Sequence, residues 1–302
     1  MKKLLLVLFV CIGSVGVGEA KLNIVATTPD LGAIAREVGG SRVTVTVLAK
    51  ATEDPHFVDA KPSHIVTLNR ADAIIEGGAE LEVGWLPPLL NSARNSKLAM
   101  GAPGRIVVKE GMSLLEIPNQ LDRSLGDIHP LGNPHFLVDP INAKIAALNI
   151  ANALIKLDMG SADAYKSNLE KFQTILDVKI GEWQKLLSSF KGAKIVTYHK
   201  DMTYFAHRFE LEVIDTLEPL PGVPPTASHL AEVIKKMKAV QVKVILVQPF
   251  QNRRTAETIA SHTGAKVVDF PLQPGAAKTS ETYFQWMDYL VNSLASALGG
   301  KQ

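Results

Sequence analysis

The chain has little cysteine: its single copy, Cys11, lies in an apolar segment close to the amino terminus. That segment has the pattern of a secretory signal peptide, with Lys2 and Lys3 followed by an apolar stretch from Leu4 to Ile12 and then by small residues. We expect cleavage after Ala20, which removes the cysteine. A mature chain without cysteine can form no disulfide and can offer no thiolate to a metal.

An alternative interpretation of the same segment is a lipoprotein signal in which Cys11 is acylated. Val10 is too bulky for the position before an acylated cysteine, and the apolar core ahead of it would be very short. Cleavage after Ala20 therefore remains the expectation, and it predicts an exported protein in the periplasm of a Gram-negative cell.

The sequence also lacks an excess of charge and a second long apolar run. Its 32 lysine and arginine residues nearly balance 30 aspartate and glutamate residues without forming a basic tract, which argues against a nucleic-acid partner. After the amino-terminal segment, no stretch reaches the roughly 20 uninterrupted apolar residues that a bilayer span needs. Because 46% of the residues are apolar, a chain of this length has enough material for large buried cores.

Apolar runs rich in β-branched residues alternate with amphipathic stretches, and they do so in two series. The first series contains runs at 22–27, 43–48 and 73–75. The second series begins after Gly192, with runs at 194–198, 211–215, 242–247 and 266–270. Such alternation indicates parallel sheets covered by helices, so the sequence predicts an α/β protein of two lobes, each with a parallel sheet flanked by helices.

Two helices are predicted between the series. Asp139 and Pro140 form the cap and first turn of a helix that runs to about Leu157. From Ser161 onward, apolar residues recur at spacings of three and four, namely Tyr165, Leu169, Phe172, Leu176, Ile180, Trp183, Leu187 and Phe190. About 29 helical residues would span about 43 Å, long enough for a spine that joins both lobes. The predicted division is a signal peptide at 1–20, a first lobe at 21–157, a linking helix at 158–191 and a second lobe at 192–302.

Three histidines, His56, His135 and His199, each follow an apolar run and lie in turns built by proline, aspartate or tyrosine. Open α/β sheets bind ligands beyond the carboxyl ends of their strands, and imidazoles gathered there can hold a divalent metal such as zinc. Each histidine also has an ordinary explanation: a solvated side chain for His56, a buried side chain on a backbone carbonyl for His135, and a helix-entry residue for His199.

A zinc site usually has a fourth ligand, and a carboxylate commonly completes a set of histidines. Asp269 is the first choice because a charge within an apolar strand is costly unless it is compensated. It could instead point to solvent at the edge of the sheet. Glu218 and a water molecule are the alternatives, and His129 is a further accessory ligand because it precedes the loop of His135 by only a few residues.

Several separated motifs, in this order along the mature chain, carry a family resemblance: Asp54-Pro55-His56, Lys61-Pro62-Ser63, Leu81 to Leu86, Asn133-Pro134-His135, Asp139-Pro140, Tyr198-His199 and Glu218-Pro219. With them the chain resembles the zinc and manganese solute-binding proteins of bacterial ABC importers, the group with a helical backbone. The resemblance implies a metal receptor that captures an ion without chemistry and docks on a membrane permease driven by its ATPase. It implies no enzymatic activity, and we expect a monomer.

The resemblance also implies a site in the cleft between the lobes. Histidines at the positions of His56 and His135 are ligands in that family, and the position of His199 carries a histidine or a glutamate. The last ligand is an aspartate near Asp269, although Pro271 is the alternative match for that place. Three imidazoles favour Zn2+ over Mn2+, because manganese is better served by more oxygen donors.

Zinc-type members often carry a long loop rich in histidine and acidic residues. Here that loop has only Asp122, Asp127 and His129, so a single hand-off ligand is the most that it predicts. A secreted zinc hydrolase is the competing class, but the sequence lacks His-Glu-x-x-His and offers no obvious general base beside the three histidines. A binder of organic metal chelates is a third class, and it predicts an aromatic or arginine-lined cleft.

Overall fold

The structure, a computed structural model, describes residues 21–120, 126 and 129–299. The predicted signal peptide with Cys11 lies outside the described residues, and so do Asp122 and Asp127. No helix in the described part of the chain is long and apolar enough to span a bilayer.

The first lobe contains a four-stranded parallel sheet. Its strands are β1 Leu22–Ala26, β2 Val43–Val47, β3 Ala73–Glu76 and β4 Arg105–Val107, in the order β2-β1-β3-β4. It is flanked by helices α1 Pro29–Gly39, α2 Pro62–Arg70 and α3 Leu86–Ala93. Every residue of β3 is buried, as expected for an inner strand covered on both faces.

The second lobe repeats this arrangement. Its strands are β5 Lys194–Thr197, β6 Glu212–Thr216, β7 Val244–Val247 and β8 Lys266–Asp269, in the order β6-β5-β7-β8. Its helices are α6 Thr203–Arg208, α7 Ala227–Val240, α8 Arg253–Thr263 and α9 Tyr283–Leu298. In both sheets the second strand in sequence pairs on one side of the first, and the third strand pairs on the other. This order creates a switch point where crevices for ligands form.

Two consecutive helices, α4 Pro140–Leu157 and α5 Ala162–Leu187, connect the sheets. The Asp139 carboxylate accepts a hydrogen bond from the backbone N–H of Ile141, so Asp139 is the predicted amino-terminal cap of α4. Helix α5 has 26 residues and extends over about 39 Å, a little less than predicted because its flanks at 159–161 and 188–190 are 3-10 turns. Its buried residues are Tyr165, Phe172, Leu176, Ile180, Trp183 and Leu187, all from the predicted stripe.

One apolar core runs through both lobes. Ile24 of β1, Trp183 of α5 and Ile195 of β5 belong to the same buried cluster. Helix α9 follows the second sheet and packs against α5. The predicted two-lobed α/β fold with a long helix is therefore confirmed, and the seven predicted strands are present within two residues of their bounds. The three-residue strand β4 was not predicted.

Candidate metal centre

Three histidines from distant parts of the chain converge between the lobes. One ring nitrogen from each of His56, His135 and His199 lies within 4.8 Å of the other two. The ring centroids are 4.9 to 5.6 Å apart. A tetrahedral zinc ion with Zn–N bonds of about 2.1 Å needs its nitrogens about 3.4 Å apart, so small side-chain movements bring this group into bonding range.

His56 lies in a turn nine residues beyond the end of β2, the strand that it was predicted to follow. Asp54 Oδ1 organises this turn, because it accepts from the backbone N–H of His56 at 3.0 Å and from the ring Nδ1 at 2.7 Å. Trp85 donates its indole N–H to the carbonyl of Pro55 at 2.9 Å. With Nδ1 bound to a carboxylate, the ring presents the lone pair of Nε2 to the centre of the cleft.

His199 follows the end of β5 with only Tyr198 between them, close to its predicted place at the end of a strand. Its Nδ1 lies 2.7 Å from Glu218 Oε2, and its backbone carbonyl accepts from the hydroxyl of Thr197 at 2.6 Å. Burial opposes protonation of this imidazole, but the hydrogen bond to Glu218 and the neighbouring carboxylates outweigh it and raise the pKa of His199. Glu218, predicted as a possible accessory ligand, thus engages one of the two ring nitrogens of His199 and leaves Nε2 as the other.

His135 lies ahead of a 3-10 turn and α4, and no strand of the described chain ends next to it. The expectation that this histidine lies at the end of a strand is therefore wrong, because the segment ahead of it is a loop. The ring is buried, and its Nε2 has no hydrogen-bond partner among the described residues. Burial, reinforced by the neighbouring imidazoles, holds the pKa of His135 well below its usual range. A buried, neutral nitrogen without a partner costs free energy, unless a ligand such as a metal ion engages it.

A fourth histidine, His129, borders the group. Its Nε2 lies 3.2 Å from Nε2 of His56, and the ring centroids are 5.2 Å apart. Because the Nδ1–H of His56 points to Asp54, Nε2 of His56 is the acceptor in this contact and His129 is the donor. Burial, with the charges of His56 and His199, lowers the pKa of His129 to about 4.

Asp269, the predicted fourth ligand, does not reach the cleft. It is the last residue of β8, its carboxylate is exposed, and it forms an ion pair with Arg253 of α8. A surface ion pair compensates the charge, which removes the reason for expecting a metal there. This corrects the prediction and agrees with its alternative, a carboxylate that points to solvent.

Two further carboxylates belong to the site: Asp201 was not singled out in the sequence, and Asp54 was named only within a motif. Asp201 is 2% exposed and accepts from Nε2 of Gln251 at 3.3 Å, and burial raises the pKa of Asp201 to about 7. It lies two residues after His199, just as Asp54 lies two residues before His56, and this spacing is the signal that could have identified both. They belong to a cavity that also includes His56, His135, His199, Glu218 and Phe250.

The remaining histidines, His64, His207, His229 and His262, lie outside the metal-competent group found among the described residues. His207 and His262 are exposed, and His229 Nε2 lies 2.9 Å from the carbonyl oxygen of Thr216.

Comparison with known proteins identifies the family and the relatives of this chain. The family model described as ZnuA, zinc-uptake complex component A, periplasmic, matches residues 24–297. The metal ABC transporter substrate-binding lipoprotein ScbA of Streptococcus cristatus is 23% identical over 289 residues, which cover 93% of this chain and 90% of that protein. The manganese ABC transporter substrate-binding lipoprotein PsaA of Streptococcus anginosus is 24% identical over 288 residues, with coverages of 92% and 89%. A crystal structure of ZnuA superposes with a TM-score of 0.78 at 24% identity, over 91% of this chain and 98% of that one.

Proposed function

Because this chain belongs to the zinc-uptake component A family of metal ABC transporter substrate-binding proteins, we propose that it binds Zn2+ in the cleft between its lobes and delivers the ion to a membrane permease. His56 and His135 are the proposed ligands from the first lobe, and His199 is the proposed ligand from the second. The ion is cargo, and the protein holds it without changing it chemically. Binding across the cleft ties the two lobes together.

The observation that carries this proposal is the convergence of three imidazoles with ring nitrogens within 4.8 Å, one of which, His135, has a buried Nε2 without a partner among the described residues. Asp54 and Glu218 each hold the Nδ1 of one histidine, so both rings keep the tautomer in which the lone pair for a metal is on Nε2. Carboxylates behind imidazole ligands orient the rings and strengthen them as donors. Carboxylates and imidazoles in this arrangement are typical of zinc sites.

We also propose His129 as the fourth ligand, in place of Asp269 or a water molecule. Its 3.2 Å separation from Nε2 of His56 is close to the edge of about 3.4 Å that a zinc tetrahedron requires. Binding requires His129 to carry its proton on Nδ1, so that Nε2 can donate its lone pair to the ion. Glu218 stays with Nδ1 of His199 and serves as its orienting carboxylate.

Zinc is proposed over manganese, although the PsaA relative is named for manganese. Imidazole nitrogens suit zinc, whereas manganese sites use more oxygen donors. The test is competition in metal-free protein, with equal concentrations of Zn2+ and Mn2+ and a chromophoric chelator as the reporter. Zinc should bind more tightly, and tighter binding of manganese would overturn the choice of metal but leave the receptor function intact.

The site itself is tested by elemental analysis after dialysis. Wild-type protein should retain one zinc ion per chain, and His56→Ala and His199→Ala should lose it. His262→Ala removes an exposed histidine of α8 and is the matched control, so it should retain the ion. Full zinc loading in either cleft variant would remove that histidine from the site.

Location, partner and processing follow from the same proposal. We propose a periplasmic monomer that docks on an ABC permease with its ATPase and has no enzymatic turnover. We keep the division into a first lobe at 21–157, a linking helix at 158–191 and a second lobe at 192–302.

The relatives named above are lipoproteins, so mass spectrometry of the mature amino terminus is the test of cleavage after Ala20 against acylation of Cys11.

A further inference from the structure

One asparagine side chain connects the backbones that carry two of the histidines. Asn133 lies in the first lobe, two residues before His135, and its Oδ1 accepts from the backbone N–H of His135 at 2.9 Å. Its Nδ2 donates to the backbone carbonyl of Lys200 at 2.7 Å. Lys200 directly follows His199 in the second lobe, so the amide spans the junction between the lobes.

The surroundings allow only one orientation of this amide. The Asn133 side chain is buried, and its Nδ2 also donates to Glu116 Oε2 at 2.8 Å. Reversing the amide would place its oxygen against a carbonyl and a carboxylate, and its N–H groups against the N–H of His135. The hydrogen bonds at both ends of the side chain would then be lost.

The backbone of Asn133 is held from both lobes as well. Its N–H donates to the carbonyl of Leu115 at 2.8 Å, and its carbonyl accepts from the hydroxyl of Tyr204 in α6 at 2.7 Å. The same hydroxyl accepts from the N–H of Leu115 at 2.9 Å. Asn133 is therefore fixed in place before any ion arrives.

We propose that Asn133 is a positioning residue that sets the spacing between His135 and His199. A metal site works within about 0.2 Å of its preferred bond lengths, so the separation of ligands from two lobes has to be maintained by groups that touch both. Asn133 contacts the chain of each histidine without lying in the ligand group itself. This inference rests on the proposed function, because it assumes that both histidines bind the ion.

The test is Asn133→Asp in the full mature chain. Aspartate keeps the oxygen that accepts from His135, but it replaces the donor with a second oxygen that faces the carbonyl of Lys200 and the carboxylate of Glu116. Zinc affinity, measured by chelator competition, should fall about 10- to 100-fold, the loss typical of residues that support metal ligands.

Asn95→Asp is the matched control. The side chain of Asn95 also accepts from a backbone N–H two residues later, that of Lys97, and donates to backbone carbonyls, those of Leu68 and Ala71. It makes these bonds within the first lobe, in a cluster of elements that holds none of the histidine ligands. Zinc affinity should therefore be unchanged in Asn95→Asp, although the apo protein loses stability to a similar degree.

Two further readouts separate positioning from general damage. The visible absorption of bound Co2+ should change in Asn133→Asp, because the ligand geometry is altered, and should be unchanged in Asn95→Asp. In a His199→Ala background, Asn133→Asp should weaken zinc binding by less than twofold, since one of the two spaced ligands is already absent. Wild-type affinity in Asn133→Asp, or an equal loss in Asn95→Asp, would overturn the positioning role.

The result also distinguishes this inference from the proposed function. If His135→Ala and His199→Ala retain zinc as the wild type does, the proposed site itself is wrong. If both variants lose zinc while Asn133→Asp binds it normally, only the positioning role fails.

Discussion

Nε2 of His56 and Nε2 of His129 lie 3.2 Å apart, although 73 positions separate the two residues in the chain. His56 is already tied to Asp54 through its other nitrogen, so the contact with His129 uses the very lone pair that a metal would engage. An ion entering the cleft must therefore either displace His129 or bind to it. We propose that the ion binds to His129.

The first prediction concerns His129. His129→Ala should lower zinc affinity at least about 10-fold, a loss no smaller than that caused by removing a group that only supports a ligand. The visible bands of Co2+ bound to the variant should shift, because water replaces an imidazole as a weaker donor. His262→Ala is the control, and affinity equal to wild type in His129→Ala would assign the fourth position to water.

The second prediction concerns the carboxylates behind the ligands. Asp54→Asn and Glu218→Gln should each weaken zinc binding about 10- to 100-fold, since each variant loses the negative charge that orients and strengthens one imidazole. Competition with a chelator measures the effect. Asp215→Asn is the control, because Asp215 forms its ion pair with Lys236, away from the cleft. Normal affinity in both cleft variants would mean that these hydrogen bonds do not support metal binding.

The third prediction concerns the pH dependence of stability. Glu82 is buried, and its Oε1 accepts from the hydroxyl of Thr27 at 2.7 Å and from the N–H of Gly77 at 2.8 Å. Burial raises the pKa of Glu82 from 4.5 to about 7. Because the folded pKa is above the unfolded one, its contribution to stability is fully present below pH 4.5 and is lost as the pH rises through 7.

Glu82→Gln keeps an oxygen for both hydrogen bonds and cannot ionise. Wild type should lose stability between pH 4.5 and pH 8 as Glu82 ionises, and the variant should not. The free energy of unfolding of the variant should therefore rise relative to that of wild type by on the order of 3 kcal/mol over this range. Urea denaturation of metal-free protein at both values provides the measurement. Glu232→Gln, at an exposed position on α7, is the control, and its free energy of unfolding should change with pH as that of wild type does. A constant difference between Glu82→Gln and wild type across this range would contradict a raised pKa.

The fourth prediction concerns the junction of the lobes. Arg208 of α6 donates from Nε and Nη2 to the two oxygens of Asp139, at 2.7 and 2.9 Å. Asp139 is nearly buried, so Arg208→Ala should lower the free energy of unfolding by about 3 kcal/mol by leaving that carboxylate without its cation. Chemical denaturation measures this loss, and Arg254→Ala on exposed α8 should cost far less. Equal stability in the two variants would show that the pair contributes little.

Much of the fold could be predicted because the signals are local. The stripe along α5 and the cap at Asp139 depend on neighbours within one or two helical turns, and both are present as predicted. Strand β4 has only three residues, Arg105–Val107, which is too short for an apolar period to show. Its pairing with β3 comes from the surrounding sheet and not from its own sequence.

The site was only partly predictable for a different reason. The proline and tyrosine motifs marked His56, His135 and His199 correctly as residues that come together, because turns with restricted backbones are visible in sequence. Asp269 was misjudged, since the apolar run around it does not reveal that its own side chain points outward to Arg253. Asn133 was visible only as part of a motif, and its contact with Lys200 lies 67 positions away.

Residue order alone determined the alternation of strands and helices, the spine helix and the set of imidazoles, because periodicity, capping and turn chemistry act between near neighbours. Only the folded chain decided which nitrogens of His56 and His199 are held by carboxylates, which carboxylates stand behind the rings, and that His129 and not Asp269 lies beside His56. Those outcomes depend on side-chain direction and burial at the meeting of two sheets, where groups far apart in sequence come within a hydrogen-bond length.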